Sequence, residues 1–137
     1  MTFAGMTYWA VLVAAIASFL FGGLWYGIFG SVWLRAANLP ESEGKRPGRN
    51  ALPFIVAFVA QLLMAYILAG TIGHLGAVTA RSGVITGAFV WLGFVITSLV
   101  VNHAFQGARP LLTLIDGGHW LGVLLIQGAI IGAIGVR

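Results

Sequence analysis

Apolar residues run almost unbroken through four stretches of the chain, 8–29, 51–73, 83–103 and 118–136, and none contains Asp, Glu, Lys or Arg. Each is close to the roughly 20 helical residues needed to cross ~30 Å of hydrocarbon. Nothing in them alternates with period two, as the strands of a membrane barrel would. In lipid every backbone amide must be paired within its own segment, which leaves helices. The pattern predicts an all-α membrane protein, a single domain over residues 1–137 with four transmembrane helices in an up-down-up-down bundle.

The polar positions gather between these stretches. Segment 31–50 is the longest and most polar: residues 31–37, with Trp33 and Arg35, read as a short interfacial turn, and the Pro- and Gly-rich 40–48 as a loop. Segment 74–82 is a tight connection. Segment 104–117 is semi-apolar, and Arg109-Pro110 is expected to break any helix there and leave it lying along the interface. Residues 1–7 carry no Lys or Arg, so the first apolar run reads as a retained helix and not as a signal peptide.

Composition agrees. Of 137 residues 60% are hydrophobic and 7% charged, and the mean hydropathy is +1.01. A soluble domain carries about 25% charged residues to cover its surface. The net charge of +4 suggests nucleic acid only until the basic residues are located. Arg35, Lys45, Arg46, Arg49 and Arg109 follow the first and third runs, against Arg81 and Arg137 on the other side. That five-to-two asymmetry fits topology determinants and excludes a nucleic-acid partner. It predicts a bacterial plasma (inner) membrane protein with both termini outside and loops 31–50 and 104–117 cytoplasmic. The partners expected are the lipid bilayer and further copies of the chain. The chain has no cysteine, which removes disulfides, thiolate metal sites and Cys nucleophiles.

Three sets of residues stand out. Small residues four apart, Gly23/Gly27, Gly118/Gly122 and Gly128/Gly132, let helix backbones approach closely in lipid. They serve packing within one bundle, or a homo-oligomer interface on the first or fourth helix. Ser18, Gln61 and Gln127 fall at one depth, roughly 14–15 Å from the membrane edge at 1.5 Å per residue. They form an interhelical clasp or line a permeation path. The third set, Asn102, His103, Arg109, Asp116 and His119, meets at the cytoplasmic rim. Three readings compete for it: a structural staple with Asp116 capping the fourth helix and pairing with Arg109, a proton or ion relay, or a two-His, one-carboxylate metal site.

There is no nucleophile–base pair, no phosphate loop and no H-E-x-x-H, so no catalytic residue, resident metal or cofactor is assigned. A homo-oligomeric transport or channel-like protein for a small solute or ion is the first expectation. A membrane enzyme or metal-binding protein using the His/Asp cluster, or a structural accessory subunit, are the alternatives.

The run Gly23-Leu24-Trp25-Tyr26-Gly27-Ile28-Phe29-Gly30 followed by Trp33, then Asn102-His103-Ala104-Phe105-Gln106-Gly107-Ala108-Arg109-Pro110, then Leu114-Ile115-Asp116-Gly117-Gly118-His119, resembles domain-of-unknown-function family 1761. These are small bacterial four-helix membrane proteins. The resemblance covers essentially the whole chain and implies membrane location and fold, but no activity.

Overall fold

The computed structural model describes residues 2–3, 5–39 and 51–136. A short antiparallel ladder, β1 (Thr2–Phe3) with β2 (Met6–Thr7), leads into α1 (Tyr8–Ala36). Next come α2 (Leu52–Leu75), a third span made of α3 (Ala80–Val90), a π-helical turn (Trp91–Val95) and α4 (Ile96–Gln106), and finally α5 (Pro110–Ile134). The protein is all-helical, with 4 helices long and apolar enough to cross a membrane.

The boundaries differ from expectation most in two places, and the third span also runs three residues further at each end. First, α1 does not stop at 29 but continues to Ala36, taking in the residues that read from sequence as an interfacial turn. Second, α5 opens at Pro110 and not at 118. Proline's missing N–H costs nothing at the first helical position, where no acceptor exists for it, and its fixed φ suits the helix. Arg109-Pro110 therefore starts a helix instead of breaking one. Gly107, at φ 67, closes α4 in the left-handed conformation that favours glycine, so the connection is only three residues long. At the opposite end Thr79 caps α3: its Oγ1 accepts from Ser82 N at 3.0 Å, and Ser82 Oγ accepts from Thr79 N at 3.1 Å. The 40–48 loop, with Lys45, Arg46 and Arg49, lies outside the described residues, as does Arg137.

The bundle is small inside and large outside. The inner face of α1 is Ala10, Ala14, Ala15, Ser18 and Gly22, and that of α2 is Gln61, Ala65, Leu68, Ala69 and Ile72. Leu20, Leu24, Ile28, Phe54, Phe89 and Phe94 point outward. A bilayer removes the penalty for exposing large apolar groups, and close backbone approach supplies the helix–helix attraction instead. The tightest crossing joins α3 to α5: a Cβ added at Gly83 or Gly128 would strike the other's carbonyl, and one at Gly132 would strike that of Thr79. The pairs Thr79–Gly132, Gly83–Gly128 and Gly87–Leu124 step in opposite directions, so these two helices are antiparallel. The same reasoning makes α1 antiparallel to α5, through Ser18–Gln127 and Tyr26–Asp116. It makes α1 antiparallel to α2 through Tyr8–Tyr66 and Phe19–Phe58.

Beyond the π turn the close packing ends. A π turn inserts one extra residue and rotates the helix C-terminal to it, often at a functional position. Here α3 lies along α5 for its whole length, while α4 touches it sparsely.

Candidate functional site

A file of polar groups within the spans lies on the seam between α1 and α5. On α5, residues 116, 119, 123, 127 and 131 recur every three or four positions and so share a face. On α1 the facing stripe is Ser18, Gly22, Tyr26 and Trp33.

Three helices, α1, α2 and α5, are clasped together by buried side chains. Gln127 Nε2 donates to Ser18 Oγ and to the Gln61 carbonyl, both at 3.0 Å, and Ser18 Oγ donates to Gln61 Oε1 at 2.7 Å. All three side chains are buried. The structure thus brings together the three residues that a depth count along the spans aligns. Such interhelical bonds are worth on average about 0.6 kcal/mol each in a bilayer, so the clasp orders the helices more than it stabilises them.

Toward the basic end, Asp116 lies roughly 9 Å inside α5 at 1.5 Å per residue, too deep to cap it. Its Oδ1 accepts from the Tyr26 hydroxyl at 2.6 Å and from Trp33 Nε1 at 3.0 Å. Arg109, the expected partner, donates to the Arg35 carbonyl at 3.5 Å. Trp33 belongs to this site and not to an interfacial turn. The signal that could have found it is spacing: residues 26 and 33 are seven apart, two turns along one face of a longer α1.

His119 is 95% buried (5% exposed) inside an aromatic box. Phe21 stacks parallel to it at 6.2 Å between centroids, Tyr26 tilts at 4.9 Å and Trp120 meets it edge-on at 4.6 Å. Gly22 leaves the room for the ring. Tyr26 therefore touches Asp116 through its hydroxyl and His119 through its ring. His103 is elsewhere: its Nδ1 bonds Thr113 Oγ1 at 2.7 Å, and among the described residues no hydrogen bond links it to Asp116 or His119. Asn102 is exposed. Among the described residues no three His, Cys, Asp or Glu come together as a metal-ligand group.

Four of the six glycines singled out for packing or a subunit interface make their close contacts within the chain. Gly128 and Gly132 meet α3 and its cap, Gly118 meets Trp25 and Gly122 meets Phe21. Gly23 and Gly27 have nothing within 4 Å.

Three buried side-chain polar atoms among the described residues have no hydrogen-bond partner: His119 Nδ1, Gln127 Oε1 and Thr7 Oγ1. All belong to this one seam. Thr7 precedes α1 directly, and its backbone N–H donates to the carbonyl of Gly135 at the far end of α5 at 2.7 Å. Residues 119, 127 and 135 are evenly spaced, about 12 Å apart along the helix axis. Between them lie Val123 and Ile131, both fully buried.

The fold and this seam define an all-α protein with four helices able to cross a membrane and one file of polar groups between the first and the last. A model of a family described as proteins of unknown function, DUF1761, matches residues 9–132, and the chain belongs to that family. No curated protein and no solved structure matches it.

Proposed function

We propose that the protein conducts protons across the bacterial inner membrane along the α1–α5 seam, the smallest case of the ion-transport role expected from the sequence. The observation that carries this reading is the file of partnerless buried atoms, Thr7 Oγ1, Gln127 Oε1 and His119 Nδ1, leading to Asp116. A buried polar atom needs a partner, and ordered water commonly supplies it. Ionisable groups at membrane depth are functional candidates by default, and an imidazole can accept a proton on one ring nitrogen and release one from the other. His119 and Asp116 are the two titratable side chains of α5 on this face, and Tyr26 is the one that α1 brings against them. The closed packing around the Ser18–Gln61–Gln127 clasp suits a proton hopping between groups better than a solute that needs an open pore.

In this reading the termini lie outside, and Arg35 and Arg109 face the cytoplasm. A homo-oligomer would use the exposed Gly23/Gly27 face of α1. The test is the purified chain in vesicles loaded with a pH-sensitive dye under a potassium diffusion potential. Proton entry above that of protein-free vesicles, lost in His119→Gln, is the expected result. Entry equal to that of protein-free vesicles refutes the proposal.

A further inference from the structure

A second feature lies on the opposite flank of α5. Where α4 diverges beyond the π turn, a crevice of about 620 Å³ opens between α4 and α5, lined by Trp91, Ile96, Val100, His103, Thr113 and Leu114 among others. That volume falls within the roughly 300–1,000 Å³ of small-molecule sites. Its walls are aliphatic and aromatic, with the hydrogen-bonded His103–Thr113 pair as the polar element. Ala108 and Pro110 line it, so the backbone of Arg109 lies at its edge, from which the side chain reaches the Arg35 carbonyl. Among the described residues the one carboxylate is Asp116, and its hydrogen bonds come from Tyr26 and Trp33, which leaves the Arg109 charge without a counter-charge from it. The first helix adds the charge of Arg35 nearby, its carbonyl being the acceptor for Arg109.

We infer that this crevice is a binding site for an anionic phospholipid of the surrounding bilayer, with an acyl chain between α4 and α5 and the phosphate at Arg109. The arrangement is that of an amphiphile: an apolar slot open on the lipid side, ending in a cation at headgroup level. Basic pockets between membrane helices recognise anionic headgroups in this way. Charge selects this occupant over a second copy of the chain, since another copy would bring a second Arg109 and a net charge of +4 to the same rim. The divergence of α4 is fixed by the fold, because Trp91 Nε1 donates to the Gly117 carbonyl at 2.9 Å and pins the π turn against α5.

Native mass spectrometry of the delipidated full chain, offered equal amounts of phosphatidylglycerol and phosphatidylcholine, tests this. Phosphatidylglycerol should be retained about fivefold over phosphatidylcholine, the factor expected of one basic group near an anionic headgroup. Arg109→Gln should bring the two to parity. Ala104→Trp, which fills the crevice from an exposed position, should lower retention of both lipids while helix content is unchanged. Equal retention by the native chain, or a preference that survives Arg109→Gln, overturns the site. So does a dimer formed on delipidation and abolished by Ala104→Trp, which would make a second copy the occupant.

Discussion

The imidazole of His119 rests on Gly22: a methyl group added at residue 22 would lie 2.8 Å from Nε2. The ring is boxed by Phe21, Tyr26 and Trp120, so it has little room to retreat. Gly22→Ala should therefore destabilise the bundle by about 1–3 kcal/mol, the usual cost of overpacking. His119→Ala removes the obstacle. The double variant should be more stable than the sum of the single losses predicts, a coupling that thermal unfolding in detergent can read. Additive losses would mean that Gly22 is not where the ring sits.

The α3–α5 crossing leads to a contrast between glycines. Gly128→Leu would drive a side chain into the Gly83 carbonyl and should abolish folding, because backbone cannot yield as a side chain can. Gly23→Leu meets nothing within 4 Å and should leave the melting temperature nearly unchanged. If the chain self-associates through α1, native mass spectrometry should show that this second variant, and not the first, yields folded monomers. A folded Gly128→Leu protein would show that the two backbones are not in contact at the crossing.

These glycines also mark how far the sequence can be read. Four spans are legible because length and apolarity set them. The members of the clasp, Ser18, Gln61 and Gln127, are legible as polar residues inside apolar spans, although the α1 and α5 ends from which depth is counted lie elsewhere. Which face of each helix turns inward is not legible, since both faces are apolar and the cue is size: Ala14, Ser18 and Gly22 inside, Leu20, Leu24 and Ile28 outside. The partners of Asp116 are hidden as long as Pro110 is taken for a break. Starting α5 at Pro110 moves Asp116 from the helix end to a depth where Tyr26 and Trp33 reach it and Arg109 does not. His103 and His119 do not even share a level: His103 bonds Thr113, six residues and roughly 9 Å along α5 from His119, and it faces the crevice.

Orientation is open to a direct measurement. The charge bias predicts that the end of α1 lies inside. With single cysteines in this cysteine-free chain, Asn38→Cys, just past α1, should react with a membrane-impermeant reagent only after the cells are opened. Ala77→Cys, between α2 and α3, should react in intact cells. The reverse pattern would invert the protein and place Asp116 at the outer face.

Val123 separates His119 from Gln127 and is fully buried between them. If protons pass along the seam, an apolar plug at that point limits the rate. Val123→Thr keeps nearly the same shape and volume and adds a hydroxyl that can donate and accept. It should raise proton entry into vesicles several-fold, while Val123→Ile should lower it. No change with either would argue that the file is not the path.

Asp116 offers the sharpest separation of structure from transport. Its Oδ1 receives both the Tyr26 hydroxyl and the Trp33 indole N–H. Asparagine keeps an oxygen at that place, so Asp116→Asn preserves the acceptor geometry and removes only the charge and the exchangeable proton. Hydrogen bonds to charged groups are worth about 1.5–3 kcal/mol against roughly 1 for neutral ones, so stability should fall by no more than about 1–2 kcal/mol. Tyr26→Phe removes one donor and should cost a similar amount, with the cycle between the two substitutions giving a positive coupling. Proton entry should divide them. Tyr26→Phe leaves the carboxylate in place and keeps measurable conduction, whereas Asp116→Asn abolishes it although the protein is folded. Equal conduction in wild type and Asp116→Asn would make the carboxylate a staple between the first and last helices, with no part in moving a proton.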